Sequence, residues 1–179
     1  MYLHILFDID NTLISNEKYK ITIRPYLKEL LLYCFDTFAS VGIWTAASRT
    51  WFEYVFKTTL YPILQQISTE LKKDCVFTHI LTYDDCQFIY NENNIYCLSK
   101  PLNKLWNLWY GMTPDNTLIV DNLKESFISN PQNGILIPSF INNNDDRYLL
   151  YLIELLKRIL NEFPHVLTVL NINKTFNNL

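Results

Sequence analysis

The stretch LHILFDIDNTL, residues 3–13, decides how the chain begins to fold. Its apolar residues lead into two aspartates, Asp8 and Asp10. The apolar run before Asp8 is too short to form a helix. A short apolar run that ends in polar residues is typical of a buried strand followed by a turn. Both carboxylates then lie at the carboxyl end of the strand, the edge where ligands bind in an open parallel sheet. We expect a functional site at this edge.

Two carboxylates at this spacing suggest a specific chemistry. They would repel each other if both were ionised and unpaired, so the pair favours a divalent cation or one protonated carboxyl. A carboxylate such as Asp8, held beside Mg²⁺, can attack phosphorus as a nucleophile, while the carboxyl of Asp10 gives and later takes a proton. The alternative is an ordinary turn, because Asp and Asn are both common in turns.

A second apolar run, SVGIWT at residues 40–45, ends in Thr45. This run predicts another strand of the same sheet. The hydroxyl of Thr45 and the amides that follow can donate hydrogen bonds to phosphoryl oxygens. The alternative for Thr45 is to cap the helix that we predict near Arg49.

A third run, NTLIVDN at residues 116–122, ends in Asp121 and Asn122. Carboxylate and amide oxygens suit Mg²⁺, which prefers oxygen ligands and usually keeps several waters. Lys100 precedes a further amphipathic helix, where its ammonium group can offset the charge of a phosphate. The alternative for an isolated lysine is a place on the surface. Lys104 is the second candidate for the same role.

The composition is that of a globular domain without a strongly charged surface. The 179 residues are 49% hydrophobic and 15% aromatic, and we expect one domain over residues 1–179. The formal net charge of -3 and the lack of a Lys/Arg run argue against nucleic acid or an anionic membrane as partner. No signal peptide precedes the first strand, and the longest apolar segment, residues 148–156, is too short for a bilayer. We therefore expect a soluble intracellular protein, in the nucleus or the cytoplasm.

Strand-like and helix-like segments alternate along the chain. This order predicts an α/β fold with a Rossmann-like parallel sheet flanked by helices. The pattern changes at about residues 73–98, where short β-rich pieces occur. Within them, the polar run NENN at residues 91–94 separates two apolar segments and indicates a hairpin. We interpret residues 73–98 as a small β insertion between the motifs at Thr45 and Lys100.

Taken in order, these motifs resemble those of the haloacid dehalogenase superfamily of aspartate-based phosphotransferases. The segment FDIDNTL, residues 7–13, is similar to the DxDxT signature of the phosphatases that act on the C-terminal domain of RNA polymerase II. Among these phosphatases, the chain most resembles the branch that carries a ubiquitin-like domain. The segments that carry this likeness are RPYL (24–27), IWTA (43–46), KPL (100–102) and NPQNG (130–134). The likeness extends from about residue 3 to residue 176. We find no ubiquitin-like domain in these 179 residues and do not expect the proteasome targeting associated with that branch.

The resemblance implies a role for each motif residue. Asp8 would be the nucleophile and Asp10 the general acid and then the general base. Thr45 and Lys100 would hold the phosphoryl oxygens. Phosphoserine or phosphothreonine in a protein would be the substrate, with peptides like the polymerase C-terminal domain as the partner.

The resemblance also implies a Mg²⁺ site. Asp8, the backbone carbonyl of Asp10, and either Asp121 or Asn122 would hold the ion. Some relatives carry two aspartates where this chain has Asp121 and Asn122, so the direct ligand among these two stays open.

Two other functions compete with this interpretation. The fold can serve as a non-catalytic protein-binding module, as in the mitochondrial import receptor that resembles the same family. It can also serve a phosphatase of small molecules or nucleotides. About thirty residues separate the first two motifs and no large helical cap is evident, which favours an open site and a protein substrate.

Overall fold

The computed structural model describes residues 3–17, 20–106, 108–109 and 111–162, in which strands and helices alternate. The strands are β1 (His4–Phe7), β2 (Ile14–Glu17), β3 (Lys20–Ile23), β4 (Ser40–Trp44), β5 (Ile80–Leu81), β6 (Gln87–Tyr90), β7 (Tyr96–Ser99), β8 (Thr117–Asp121) and β9 (Gly134–Leu136). The α-helices are α1 (Leu27–Thr37), α2 (Arg49–Val55), α3 (Tyr61–Leu71), α4 (Asn103–Trp106) and α5 (Tyr148–Glu162). A π-helical turn, Phe56–Leu60, joins α2 to α3.

The central sheet has five strands in the order β5-β4-β1-β8-β9, and every neighbouring pair is parallel. β1 lies in its middle and β8 beside it, and both are buried almost throughout, which explains why their sequences are nearly continuous apolar runs. The predicted Rossmann-like parallel sheet is confirmed.

Helices cover both faces of this sheet. Alternate residues of β1 point to opposite faces, so Ile5 and Phe7 pack into one hydrophobic core and Leu6 into another. α1 packs against α3 and α5 over the larger core. The smaller core contains Leu102, Leu105 and other residues near α4.

The insertion is smaller than the range predicted at residues 73–98. Ile80–Leu81 pairs with β4 and so belongs to the central sheet, and the added sheet consists of β6 and β7 alone. The predicted hairpin is present, and it joins Gln87–Tyr90 to Tyr96–Ser99 around the polar turn. The short apolar pieces look alike in the sequence, because only long-range pairing separates an edge strand from a hairpin strand.

A second hairpin, formed by β2 and β3, was not predicted from the sequence. Isoleucines alternate with polar residues there, as at Ile21 and Ile23, but each run is only four residues long. The predicted single domain over residues 1–179 stays a prediction, since residues 163–179 lie outside the described residues. Within the described ranges, none of the helices combines the length and the apolar character needed to span a bilayer.

Candidate active site

The parallel register places the motif residues at one edge of the sheet. Phe7 of β1 pairs with Ile43 of β4 and with Val120 of β8. Asp8 and Asp121 each follow one residue later and therefore lie side by side. The backbone N–H of Asp8 donates to the carbonyl oxygen of Val120 at 2.9 Å, which fixes the strand end.

A cavity of about 670 Å³ opens at this edge. The six side chains predicted for the site all line it: Asp8, Asp10, Thr45, Lys100, Asp121 and Asn122. The second lysine candidate, Lys104, does not line it; its ammonium group donates to the carbonyl oxygen of Asp85 at the surface. The structure therefore brings together residues that are up to 114 positions apart in the chain, from Asp8 to Asn122.

Lys100 joins two strand ends through its side chain. It follows β7, only 2% of its surface is exposed, and its Nζ lies 2.6 Å from Asp8 Oδ1 and 2.6 Å from Asp121 Oδ2. Burial alone would lower the pKa of Lys100, but the two carboxylates raise it above its ordinary value. The lysine is therefore a permanent cation between two buried carboxylates, and the surface alternative for Lys100 is wrong.

Asp8 and Asp10 occupy different electrostatic environments. The pKa of Asp8 is raised to about 7, chiefly by burial; the nearby Lys100 lowers it in part, and Asp121 and Asp10 add to the rise. Burial also raises the pKa of Asp10, and a hydrogen bond from Trp51 lowers it. Asp8 is 5% exposed whereas Asp10 is half-buried at the mouth of the cavity, so the two acids differ in access to solvent.

Thr45 lies one residue beyond β4 and is buried. Its backbone N–H donates to Leu81 of β5, and its Oγ1 accepts a hydrogen bond from the N–H of Ala47 at 3.1 Å. The residue that caps α2 is Ser48, whose Oγ accepts from the N–H of Trp51 at 3.2 Å. Thr45 is thus not the helix cap, and its hydroxyl hydrogen can point into the cavity.

Asn122 differs from Asp121 in its contacts. Asp121 accepts from Lys100 and, through Oδ1, from the backbone N–H of Leu123 at 2.8 Å. Asn122 Oδ1 accepts from the buried hydroxyl of Thr12 at 3.2 Å, and its Nδ2 donates to Ser139. The threonine that ends the DxDxT sequence is therefore joined to the residue after β8 by a side-chain hydrogen bond.

The residues present fit a Mg²⁺ ion by their chemistry. Asp8, Asp10 and Asp121 carry up to three negative charges against the single positive charge of Lys100, and the pKa of Asp8 stays raised beside that lysine. An additional cation would relieve this repulsion, and Mg²⁺ binds through few carboxylates, carbonyl oxygens and waters. Among the described residues, no three His, Cys, Asp or Glu side chains form a metal-binding cluster, so the fit depends on backbone, amide and water ligands as well.

Comparison with known proteins agrees with this site. The family model for NLI interacting factor-like phosphatases matches residues 3–167. The chain belongs to this family. The family resemblance inferred from the motifs is thereby confirmed.

The relatives of this phosphatase family are longer proteins. The chain is 28% identical over 165 residues to ubiquitin-like domain-containing CTD phosphatase 1 of Xenopus tropicalis, which covers 87% of this chain and 49% of that protein. It is 30% identical over 169 residues to the ubiquitin-like domain-containing CTD phosphatase of Arabidopsis thaliana. This match covers 87% of this chain and 46% of that protein. The chain thus spans about half the length of these curated relatives.

A solved structure shows the same fold. The structure of Fcp1, described as an essential RNA polymerase II CTD phosphatase, superposes with a TM-score of 0.53 at 14% identity. The match covers 89% of this chain and 48% of that chain. At this identity the likeness establishes the fold of the phosphatase family and leaves the activity to be argued from the site.

Some cavity residues of this family member were not found by sequence reasoning. The hairpin contributes Ile95 and Cys97 to the wall, and the turn after β8 contributes Glu125. The nearest sequence signal for Glu125 is its place four residues after Asp121, at a strand end already identified. Trp51, a residue of α2 that packs against the larger core, also donates its indole N–H to the carboxylate of Asp10.

Proposed function

We propose that this chain is a Mg²⁺-dependent phosphoprotein phosphatase that hydrolyses phosphoserine or phosphothreonine through an aspartyl-phosphate on Asp8. The observation that carries the proposal is the buried contact of Lys100 with Asp8 and Asp121 at the sheet edge. It holds a carboxylate nucleophile in place beside a fixed positive charge. Phosphoryl transfer depends mainly on positioning and electrostatic stabilisation, which this arrangement supplies.

The proposed reaction has two steps. In the first, a carboxylate oxygen of Asp8 attacks phosphorus, the bond from phosphorus to the serine or threonine oxygen breaks, and Asp10 gives its proton to that oxygen. In the second, water attacks the phosphorus of the acyl phosphate while Asp10 takes a proton from the water. The Asp8 carboxylate is regenerated and inorganic phosphate leaves.

The remaining cavity residues would stabilise the phosphoryl group. The Lys100 ammonium and the Thr45 hydroxyl, which line the cavity, would donate to its oxygens, where negative charge is concentrated during transfer. When bound, Mg²⁺ would neutralise charge on the same oxygens. We propose that Asp8, the backbone carbonyl of Asp10, and Asp121 or Asn122 hold it.

A protein substrate suits the rim of the cavity. Two apolar side chains at the rim, Ile95 and Leu123, are 58% and 55% exposed. Exposed apolar groups beside a polar site are suited to a peptide chain that extends past the phosphorylated residue. Because the relatives named above are CTD phosphatases, we propose a phosphorylated RNA polymerase II tail peptide as the first substrate to test.

The test is hydrolysis of p-nitrophenyl phosphate and of a phosphorylated polymerase-tail heptapeptide, with Mg²⁺ and with a chelator. We expect turnover that needs Mg²⁺ and falls at least about a thousandfold in Asp8→Asn, because the nucleophile is lost. Asp84→Asn, the same change at an exposed acid outside the cavity, is the matched control and should keep native activity.

Three outcomes would contradict the proposal. A well-folded chain without turnover on either substrate would indicate a protein-binding module. Much faster hydrolysis of nucleotides or sugar phosphates than of the peptide would indicate a small-molecule phosphatase. Turnover retained in Asp8→Asn would exclude Asp8 as the nucleophile.

A further inference from the structure

The indole ring of Trp51 contacts the carboxylate of Asp10 at the cavity mouth. Its Nε1–H donates to both oxygens of Asp10, at 3.0 Å to Oδ1 and 3.1 Å to Oδ2. The two residues are 41 positions apart and lie on different elements, so the contact joins the first turn of α2 to the turn after β1. Within the part of the chain that the structure describes, the salt bridges of Lys100 are to Asp8 and Asp121 and not to Asp10, although the charge of Lys100 lowers the pKa of Asp10.

The ring of Trp51 is itself held in place. Its backbone N–H is fixed by the Ser48 cap, and its ring lies 5.7 Å from that of Tyr54 at an interplanar angle of 31°. The side chain is half-buried and packs against the larger core. Trp51 can therefore act as a fixed donor, whereas Asp10 lies beside a strained turn residue, Asn11, with φ of 60°.

The geometry of this contact restricts where Asp10 can direct its proton. An indole nitrogen donates a hydrogen bond and does not accept one. Because the N–H lies almost equally far from both carboxyl oxygens, the hydrogen of the protonated acid cannot point at the indole. It must then lie on the side of the carboxyl group away from the indole, and Asp10 lines the cavity in which the leaving oxygen of a substrate would lie.

We propose that Trp51 is the positioning residue that orients Asp10 for proton transfer to the leaving group. This inference rests on the proposed function, in which Asp10 is the general acid. It predicts that loss of Trp51 slows the first step of the reaction, and that the size of this effect depends on the leaving group. A serine alkoxide needs a proton to leave, whereas p-nitrophenolate leaves without one.

The test compares kcat/KM of Trp51→Phe on a phosphoserine peptide and on p-nitrophenyl phosphate. This parameter covers the steps up to departure of the leaving group. We expect a fall of about tenfold on the peptide, part of the about 10²–10⁴-fold that a general acid contributes, and less than about twofold on p-nitrophenyl phosphate. Trp109→Phe, whose ring lies against His79 away from the cavity, is the matched control.

A double variant tests whether Trp51 acts through Asp10. In an Asp10→Asn background, Trp51→Phe should cause no further fall on the peptide, because the group that it orients is already lost. Equal falls on both substrates in Trp51→Phe, no fall on either, or independent effects of the two changes would overturn the inference.

A measurement without turnover tests the contact itself. In protein labelled with ¹⁵N-tryptophan, the Trp51 indole N–H resonance is the one lost in Trp51→Phe, and Asp10→Ala should move it upfield as its hydrogen bond is lost. An unchanged resonance would overturn the inference alone. A native chain that lacks phosphatase turnover would overturn the proposed function and the inference together, so the two failures are distinguishable.

Discussion

At the scale of single residues, the proposed chemistry depends on how Asp8 stays reactive while it is buried. An ion pair in the interior loses most of the hydration of both partners, and it persists only where geometry is close. Lys100 meets that condition with contacts of 2.6 Å to each of two carboxylates. Even so, burial and the neighbouring carboxylates keep the pKa of Asp8 near 7.

This raised pKa predicts how stability depends on pH in the absence of metal. Between its ordinary pKa of 3.8 and about 7, Asp8 holds a proton in the folded state that it loses in the unfolded chain. The stabilisation by that proton is present at low pH and is lost as pH rises through about 7. With a chelator present, the melting temperature should therefore fall between pH 5 and pH 8, and fall less in Asp8→Asn.

The measurement is thermal unfolding followed by circular dichroism at several pH values. Asp84→Asn, an exposed acid, serves as the control and should show the native dependence on pH. Identical slopes for the native chain and Asp8→Asn would mean that the pKa of Asp8 is not raised by burial.

At the scale of elements, Arg24 secures the turn that carries the DxDxT residues. Its side chain is fully buried and donates to the carbonyl oxygens of Thr12 and Pro138 and to both carboxylate oxygens of Asp146, at 2.9–3.0 Å. The guanidinium also lies over the ring of Phe140. One side chain thus joins the turn after β1, the segment after β9 and the residues before α5.

Loss of Arg24 should be costly for this reason. Arg24→Met leaves the buried carboxylate of Asp146 unpaired, and we expect unfolding free energy to fall by about 3–5 kcal/mol in urea. Arg24→Met with Asp146→Leu should recover part of the loss, since no unpaired charge remains. The control is Arg158→Met on the exposed face of α5. A loss below about 1 kcal/mol for Arg24→Met would show that the contact does not secure the fold.

The ends of the strands could be predicted from the sequence, but some contacts between elements could not. The strand ends at Asp8, Thr45 and Asp121 were predictable, because apolar runs with polar ends reveal buried parallel strands. The contact of Trp51 with Asp10 was not predictable, because a tryptophan at helical spacing is ordinarily a core residue. The local sequence also does not determine the rotamer of its side chain. The membership of β5 in the central sheet was not predictable either, because it depends on pairing between residues more than thirty positions apart in the chain.

At the scale of the whole molecule, the parallel sheet itself assembles the site. All three strand ends meet at one edge because β4 and β8 flank β1 in parallel register. The order of motifs along the chain therefore predicted their convergence, and the family membership agrees with it. The size of the cavity and its hairpin wall followed only from the structure, since they depend on how the insertion packs.

We predict that Asp8 carries the phosphoryl group during turnover. The most direct measurement is an acid quench after mixing with p-nitrophenyl phosphate and Mg²⁺, followed by digestion and mass spectrometry. Asp10→Asn is included because loss of the general base should slow hydrolysis of the intermediate and let it accumulate. We expect a hydroxylamine-labile phosphoryl group on the peptide that contains Asp8, increased in Asp10→Asn and absent in Asp8→Asn. A phosphoryl group on any other residue, or undiminished turnover in Asp8→Asn, would contradict it.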